Sequence, residues 1–79
     1  DLFAGVYEIA AGGTDGQTPH AQDEVYYVTA GRATLVVDGE RVSVSAGSVV
    51  YVAKEVDHRF EEVEEELTVL VFFATPGGA

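Results

Sequence analysis

The chain has 79 residues, 47% of them hydrophobic, and a net charge of −10. A chain this short hides only about 60% of its unfolded surface, so it is one domain with a thin core, and it is too apolar for disorder. Without Cys it forms no disulfide or thiolate site. No run reaches the ~20 apolar residues of a membrane span, and fourteen acids against four basic residues weigh against nucleic acid and anionic membranes, whose phosphates need clustered Lys and Arg.

The start, Asp1-Leu2-Phe3, has no signal-like stretch, so a cytoplasmic location is the default expectation. It also lacks Met, so trimming from something longer is expected. Fourteen residues are Val while Met and Trp are absent, a composition that suits a pleated, packed surface. Val6 to Ile9 reads as an early strand, and Ala10 to Gln17 as a Gly-rich loop. Glu24 to Thr29 (EVYYVT) is a strong strand signal, closed by Ala30-Gly31. Ala33 to Val37, Asp38-Gly39 and Arg41 to Val44 form the clearest hairpin. Asp-Gly between apolar runs favours a type I′ turn, whose central residues need positive φ. That turn sets Leu35 opposite Val42 and Ala33 opposite Val44, and opposed residues share a face. A core face of Ala33, Leu35, Val42 and Val44 follows, with Thr34, Val36, Arg41 and Ser43 on a mainly wet face.

Ala46-Gly47 makes the next turn. Ser48 to Ala53 is a strand, Lys54 to Val56 a loop, and Asp57 to Phe60 a short strand. Glu61 to Glu66 (EEVEEE) reads as an acidic, solvated connection. Leu67 to Ala74 is the last strand, and its unbroken apolar run predicts burial on both faces. Thr75 to Ala79 is a tail. Seven or eight short strands with turns every eight to ten residues predict an all-β barrel or sandwich, with residues 1–79 as one domain.

The two histidines are His20 and His58. Glu24 follows His20 by four residues, which on one straight strand puts their side chains about 13 Å apart. Metal bonds are about 2.0–2.2 Å long, so His20 and Glu24 share an ion only if the chain turns at Ala21-Gln22-Asp23. Tyr26, two residues past Glu24, is expected to face the same interior. Phe60, two past His58, is expected to wall a pocket. Gln22 near His20 is a further candidate, and Tyr51 is weighed with Tyr26 between core filling and ligand contact.

Two glycine-anchored motifs carry a family resemblance. Gly12, five residues, Thr18-Pro19-His20, three residues, Glu24, six residues and Gly31 make the first. Gly39, five residues, Ser45-Ala46-Gly47, and then His58 after ten intervening residues make the second. This pattern resembles the cupin family over about residues 12–72. The resemblance implies a jelly-roll β-barrel and a divalent metal (Fe, Mn, Ni or Zn) held by His20, Glu24 and His58. Thr18 stands where the family carries a fourth ligand, a His, so three ligands and open positions are implied. Ser45 replaces the family's Pro.

Two functions stay open at this point. One is a metal-dependent enzyme of dioxygenase or isomerase type on a small molecule. The other is a non-catalytic binding or sensing module with no metal or a vestigial site, and one fold hosts both. The apolar strands Val25 to Val28 and Leu67 to Phe73 predict that a sheet packs against a second copy, giving a homodimer.

Overall fold

The computed structural model describes residues 2–13 and 22–74. Thr18, His20, Ala21, the end of the Gly-rich loop and the tail after Ala74 lie outside the described residues. Among the described residues there are five strands: β1 (Leu2–Ile9), β2 (Glu24–Val37), β3 (Glu40–Ser45), β4 (Val49–Val52) and β5 (His58–Ala74). All pairings are antiparallel, in the order β1-β5-β2-β3, with β4 also on β2.

Two strands are long because each serves both halves of the barrel. The first half of β2 (residues 24–28) lies between β4 and the end of β5, while its second half (residues 32–37) lies between β3 and the start of β5. Register shifts between Val28 and Thr34 mark the bend. Gly31 sits within it at φ +90°, and a Cβ there would come within 2.2 Å of the Glu66 carbonyl oxygen. A glycine is therefore required twice over, by backbone conformation and by close approach. Bending lets the inward side chains of both halves meet. Tyr26, Val28, Leu35, Val52, Phe60, Leu67 and Val69 are the most deeply buried. The result is the all-β jelly-roll that the family resemblance implied. The strand expected to close at Ala30-Gly31 instead runs on through the bend.

The Asp38-Gly39 hairpin has the predicted register, with Leu35 opposite Val42 and Ala33 opposite Val44. Both turn residues have positive φ (49° and 82°), as a type I′ turn requires. The two faces differ from expectation at two valines. Val42 is exposed because β3 is an edge, with no described strand on its far side. Val36 is buried although it lies on the polar face. Arg41 and Arg59 flank it in register, and both guanidiniums bond to Glu61. Their methylene stems cover the valine while the charged ends stay in water.

Glu61 to Glu66 is not a connection but the middle of β5. Five residues of β5 (Glu61 to Glu65) span only three of β2 (Thr34 to Arg32), a bulge helped by the positive φ of Glu62, 51°. Val63 turns inward and is buried. The glutamates stay exposed or half-exposed and meet arginines: Glu64 and Glu65 on Arg32, Glu61 and Glu62 on Arg41. Leu67 to Ala74 is also less symmetric than its composition implied. Leu67, Val69 and Val71 are buried, while Thr68, Leu70 and Phe72 are half-buried on the other face.

Two predictions follow from the bend and the acidic bulge. Gly31→Ala should destabilise by about 2–3 kcal/mol, and Gly39→Ala, with open space around its Cβ, by about 1 kcal/mol from backbone conformation alone; urea unfolding of both variants separates them. The Glu61 carboxyl is held below its ordinary 4.5, first by its hydrogen bond with Arg59, with Arg41 adding to it. A depressed carboxyl stabilises fully above its unfolded value and loses that effect as pH falls through its folded one. The stability difference between the native chain and Glu61→Gln should therefore be constant well above 4.5 and shrink as pH falls below it, vanishing only once pH passes the lower folded-state value, as read by thermal unfolding against pH.

Candidate functional site

Glu24 opens β2 and His58 opens β5. Both side chains point into the barrel, at 4% and 2% exposure. They are the only buried acidic or basic residues among those described, so the thin core carries their desolvation in one place. His58 Nε2 lies 3.9 Å from Glu24 Oε1. The Tyr26 hydroxyl is 2.8 Å from the same nitrogen, and His58 Nδ1 is 2.8 Å from the Val56 carbonyl oxygen.

These contacts fix the imidazole. A carbonyl only accepts, so Nδ1 carries a proton and donates to Val56. In the neutral ring Nε2 is then the acceptor, and the Tyr26 O–H donates to it. Tyr26 is itself held edge-on by Phe60, with ring centroids 5.4 Å apart. The alternation of β2 brings Glu24 and Tyr26 to the same face, and that of β5 does the same for His58 and Phe60.

Glu24 also faces a pocket of about 320 Å³ lined by Tyr7, Gln22, Glu24, Val71 and Phe73. Its walls are largely apolar, with one carboxylate and one amide converging on it, the usual make-up of a small-molecule site. Phe3 stacks on Phe73 with centroids 5.6 Å apart, extending the aromatic wall. A second hollow of about 250 Å³ lies between β3 and the acidic bulge. Its carboxylates, Glu62 and Glu64, are exposed and paired with arginines, so it holds no comparable buried group.

The structure thus brings Glu24, Tyr26, Gln22 and His58 together. Phe60 is core packing behind Tyr26 rather than pocket lining. Tyr51, grouped with Tyr26 at first, instead points outward and is 61% exposed. It lies opposite Val25, one residue out of phase with the inward positions. Its phenol is pushed up by desolvation and then by a hydrogen bond with Asp23. Asp23 Oδ1 also accepts from the Lys54 amide at 2.8 Å, so this exposed residue ties the approach to Glu24 to the β4–β5 loop. Tyr7, Val71 and Phe73 were not among the predicted pocket residues. Their inward phase depends on β1 pairing with β5, Tyr7 opposite Val69, and only the hydrophobic alternation of β5 hinted at it.

His20 and Thr18 lie outside the described residues, and no group of three or more possible ligands occurs among the described ones. The donor pair itself fits a divalent ion. Two bonds of about 2.0–2.2 Å to one ion bridge up to about 4.3 Å, and the Glu24–His58 separation of 3.9 Å falls inside that reach. A ring whose Nδ1–H donates to a backbone carbonyl presents Nε2, the arrangement typical of metal-ligating histidines.

A family model for the cupin domain matches residues 5–74. An uncharacterised protein of Streptomyces coelicolor is 50% identical over 76 residues, covering 96% of this chain and 72% of that one. A conserved-barrel cupin protein from Salinispora arenicola superposes with a TM-score of 0.85 at 26% identity, over 95% of this chain and 64% of that one. A DMSP lyase from Ruegeria pomeroyi superposes with a TM-score of 0.87 at 22% identity, over 99% of this chain and 40% of that one. The chain therefore spans less than two thirds of either solved structure. Among the described residues no helix is long and apolar enough to cross a membrane.

Removing the Tyr26 hydroxyl tests the geometry of the site. Tyr26→Phe keeps the ring against Phe60 and deletes only the bond to His58, so it should lower stability by about 1 kcal/mol in chemical denaturation.

Proposed function

Because the chain belongs to the cupin family, we propose that it holds one divalent cation through Glu24 and His58, with His20 as a third ligand, and offers it to a small molecule in the adjoining pocket. The observation that carries this reading is the buried Glu24–His58 pair, 3.9 Å apart, with the imidazole oriented by Val56. Such a cation would supply a Lewis acid or an O₂ site. The chain's own residues do the rest. Val56 fixes the tautomer, the Tyr26 ring packs against the imidazole, and Val71, Phe73 and Tyr7 exclude water from one side of the carboxylate. Fourteen acids against four basic residues support a small molecule over nucleic acid as the partner. The proposed working unit is a pair of chains in the cytoplasm.

One observation favours a second reading, a metal-free binding module. The Tyr26 hydroxyl already occupies the Nε2 lone pair of His58. Elemental analysis of protein purified without chelator separates the two. On the metal reading the native chain carries close to one equivalent and His58→Ala carries none, with affinity down more than about 100-fold. Tyr26→Phe, which removes the competing bond, retains the metal. Saturating cation at 100 times its Kd should also stabilise the native chain by about 2.7 kcal/mol, raising Tm, and should leave His58→Ala unmoved. A metal-free native chain with no such shift would overturn the metal reading in favour of the second.

A further inference from the structure

Residues Ala53 to Asp57 join β4 to β5 and carry the carbonyl that meets His58 Nδ1. They form a tight turn. The Val56 amide donates to the Ala53 carbonyl oxygen at 3.3 Å. Glu55, the third residue of the turn, has φ +61°, the mark of a type II turn, which favours glycine there. A residue with a side chain is strained in that region, and it persists there only where its surroundings dictate the conformation.

Two bonds from outside the turn do so. The turn's own bond does not use the Lys54 amide, which therefore needs another acceptor. Asp23 Oδ1 supplies it at 2.8 Å. On the far side the Asp38 amide, in the β2–β3 hairpin, donates to the Asp57 carbonyl oxygen at 2.8 Å. Asp23 is the more telling of the two, because it immediately precedes Glu24. Its backbone runs into one residue of the buried pair, while its carboxylate grips the turn that orients the other. No ladder does this, since Glu24 lies opposite Val52 and Phe73, and His58 lies opposite Val37. Asp23 is exposed, so its bond to Lys54 is not a by-product of core packing.

The tautomer of His58 depends on this turn more than on Tyr26. A hydroxyl both donates and accepts, so the 2.8 Å contact with Tyr26 suits Nε2 with or without a proton. A carbonyl only accepts, so Val56 alone demands the proton on Nδ1. That leaves Nε2, the nitrogen 3.9 Å from Glu24, as the bare one.

We propose that Asp23 is a positioning residue: through the Lys54 amide it holds the Val56 carbonyl against His58 Nδ1 and so keeps Nε2 unprotonated beside Glu24. Its use rests on the cation reading above, because only a bare Nε2 can ligate. The tautomer itself is a property of the chain without a cation.

NMR of the imidazole nitrogens in chelator-treated protein, at alkaline pH where imidazoles are neutral, tests it, with His58→Ala identifying the His58 signals. The native ring should show one protonated and one bare nitrogen, widely separated. Asp23→Ala should draw the two shifts together as the tautomers interchange, with circular dichroism unchanged. Asp23→Leu, which keeps the shape without the acceptor, takes its place if the alanine variant does not fold. Asp23→Asn keeps an acceptor oxygen and should restore the native shifts. Lys54→Pro removes the amide and presets φ at that place in the turn, so Asp23→Ala should have no further effect in that background. Zinc affinity, read by competition with a chelator, should fall about 10-fold in Asp23→Ala. Unmoved shifts in Asp23→Ala, no rescue by Asp23→Asn, or an equal effect in the Lys54→Pro background each overturns the proposal. So does zinc affinity that stays at the native value. A native chain that takes no zinc overturns the cation reading instead, and the nitrogen shifts then decide this proposal alone.

Discussion

The close approach of Gly31 to the Glu66 carbonyl is the constraint on which the molecule turns. A chain this small cannot supply two complete sheets from separate strands. It economises by running β2 and β5 through both halves, and the bend at Gly31 makes that possible. The same bend points Glu24 and Tyr26 at one end of β2 towards His58 at the opposite end of β5's span. The site is a product of the folded-over strand pair, not of any local motif. Val28, just before the bend, donates its amide to the Ser48 carbonyl and accepts from the Gly47 amide. The turn between β3 and β4 is thereby fastened to the point where β2 changes sheets, and the broken ladder leaves neither of these Val28 groups without a partner.

Burying a carboxylate and an imidazole in so thin a core works against stability. The surroundings limit the cost. Each polar atom of the imidazole has a partner, one from the backbone and one from Tyr26, and no buried side-chain nitrogen or oxygen among the described residues is left without one. The remaining inward positions are filled by aliphatic side chains and aromatics. A core that is apolar everywhere except at one fully satisfied cluster holds that cluster rigidly in place.

Much of this was legible in the residues because short-range rules were at work. Asp38-Gly39 determined its hairpin register through turn chemistry alone. The inward phase of Glu24 and Tyr26 followed from period-two alternation. What was not legible arose where strands depart from that period or where a neighbour decides the outcome. EEVEEE reads as solvent-exposed by composition, yet a bulge lets Val63 alone reach the core while arginines from β2 and β3 meet the glutamates. Val36 and Val42 exchange their expected environments because one lies beneath two arginine stems and the other on an open edge. Tyr51 was misplaced for a related reason. Its phase is set by β4 pairing with β2, which no local pattern in SVVYVA reveals.

The register of β1 on β5 joins Leu2 to Ala74, and this has a bearing on how the chain reaches its fold. β1 is made first of the five strands but has no partner until the last of them exists. Apart from the β2–β3 hairpin, the strand pairings join residues far apart in sequence, β5 with β1 and β2 above all. Loop-closure entropy must be met before such contacts return anything, which places the chain among slow folders. Until β5 docks, an apolar strand waits with both edges bare, so the vulnerable period for misassociation is the interval between synthesis of β1 and arrival of its partner.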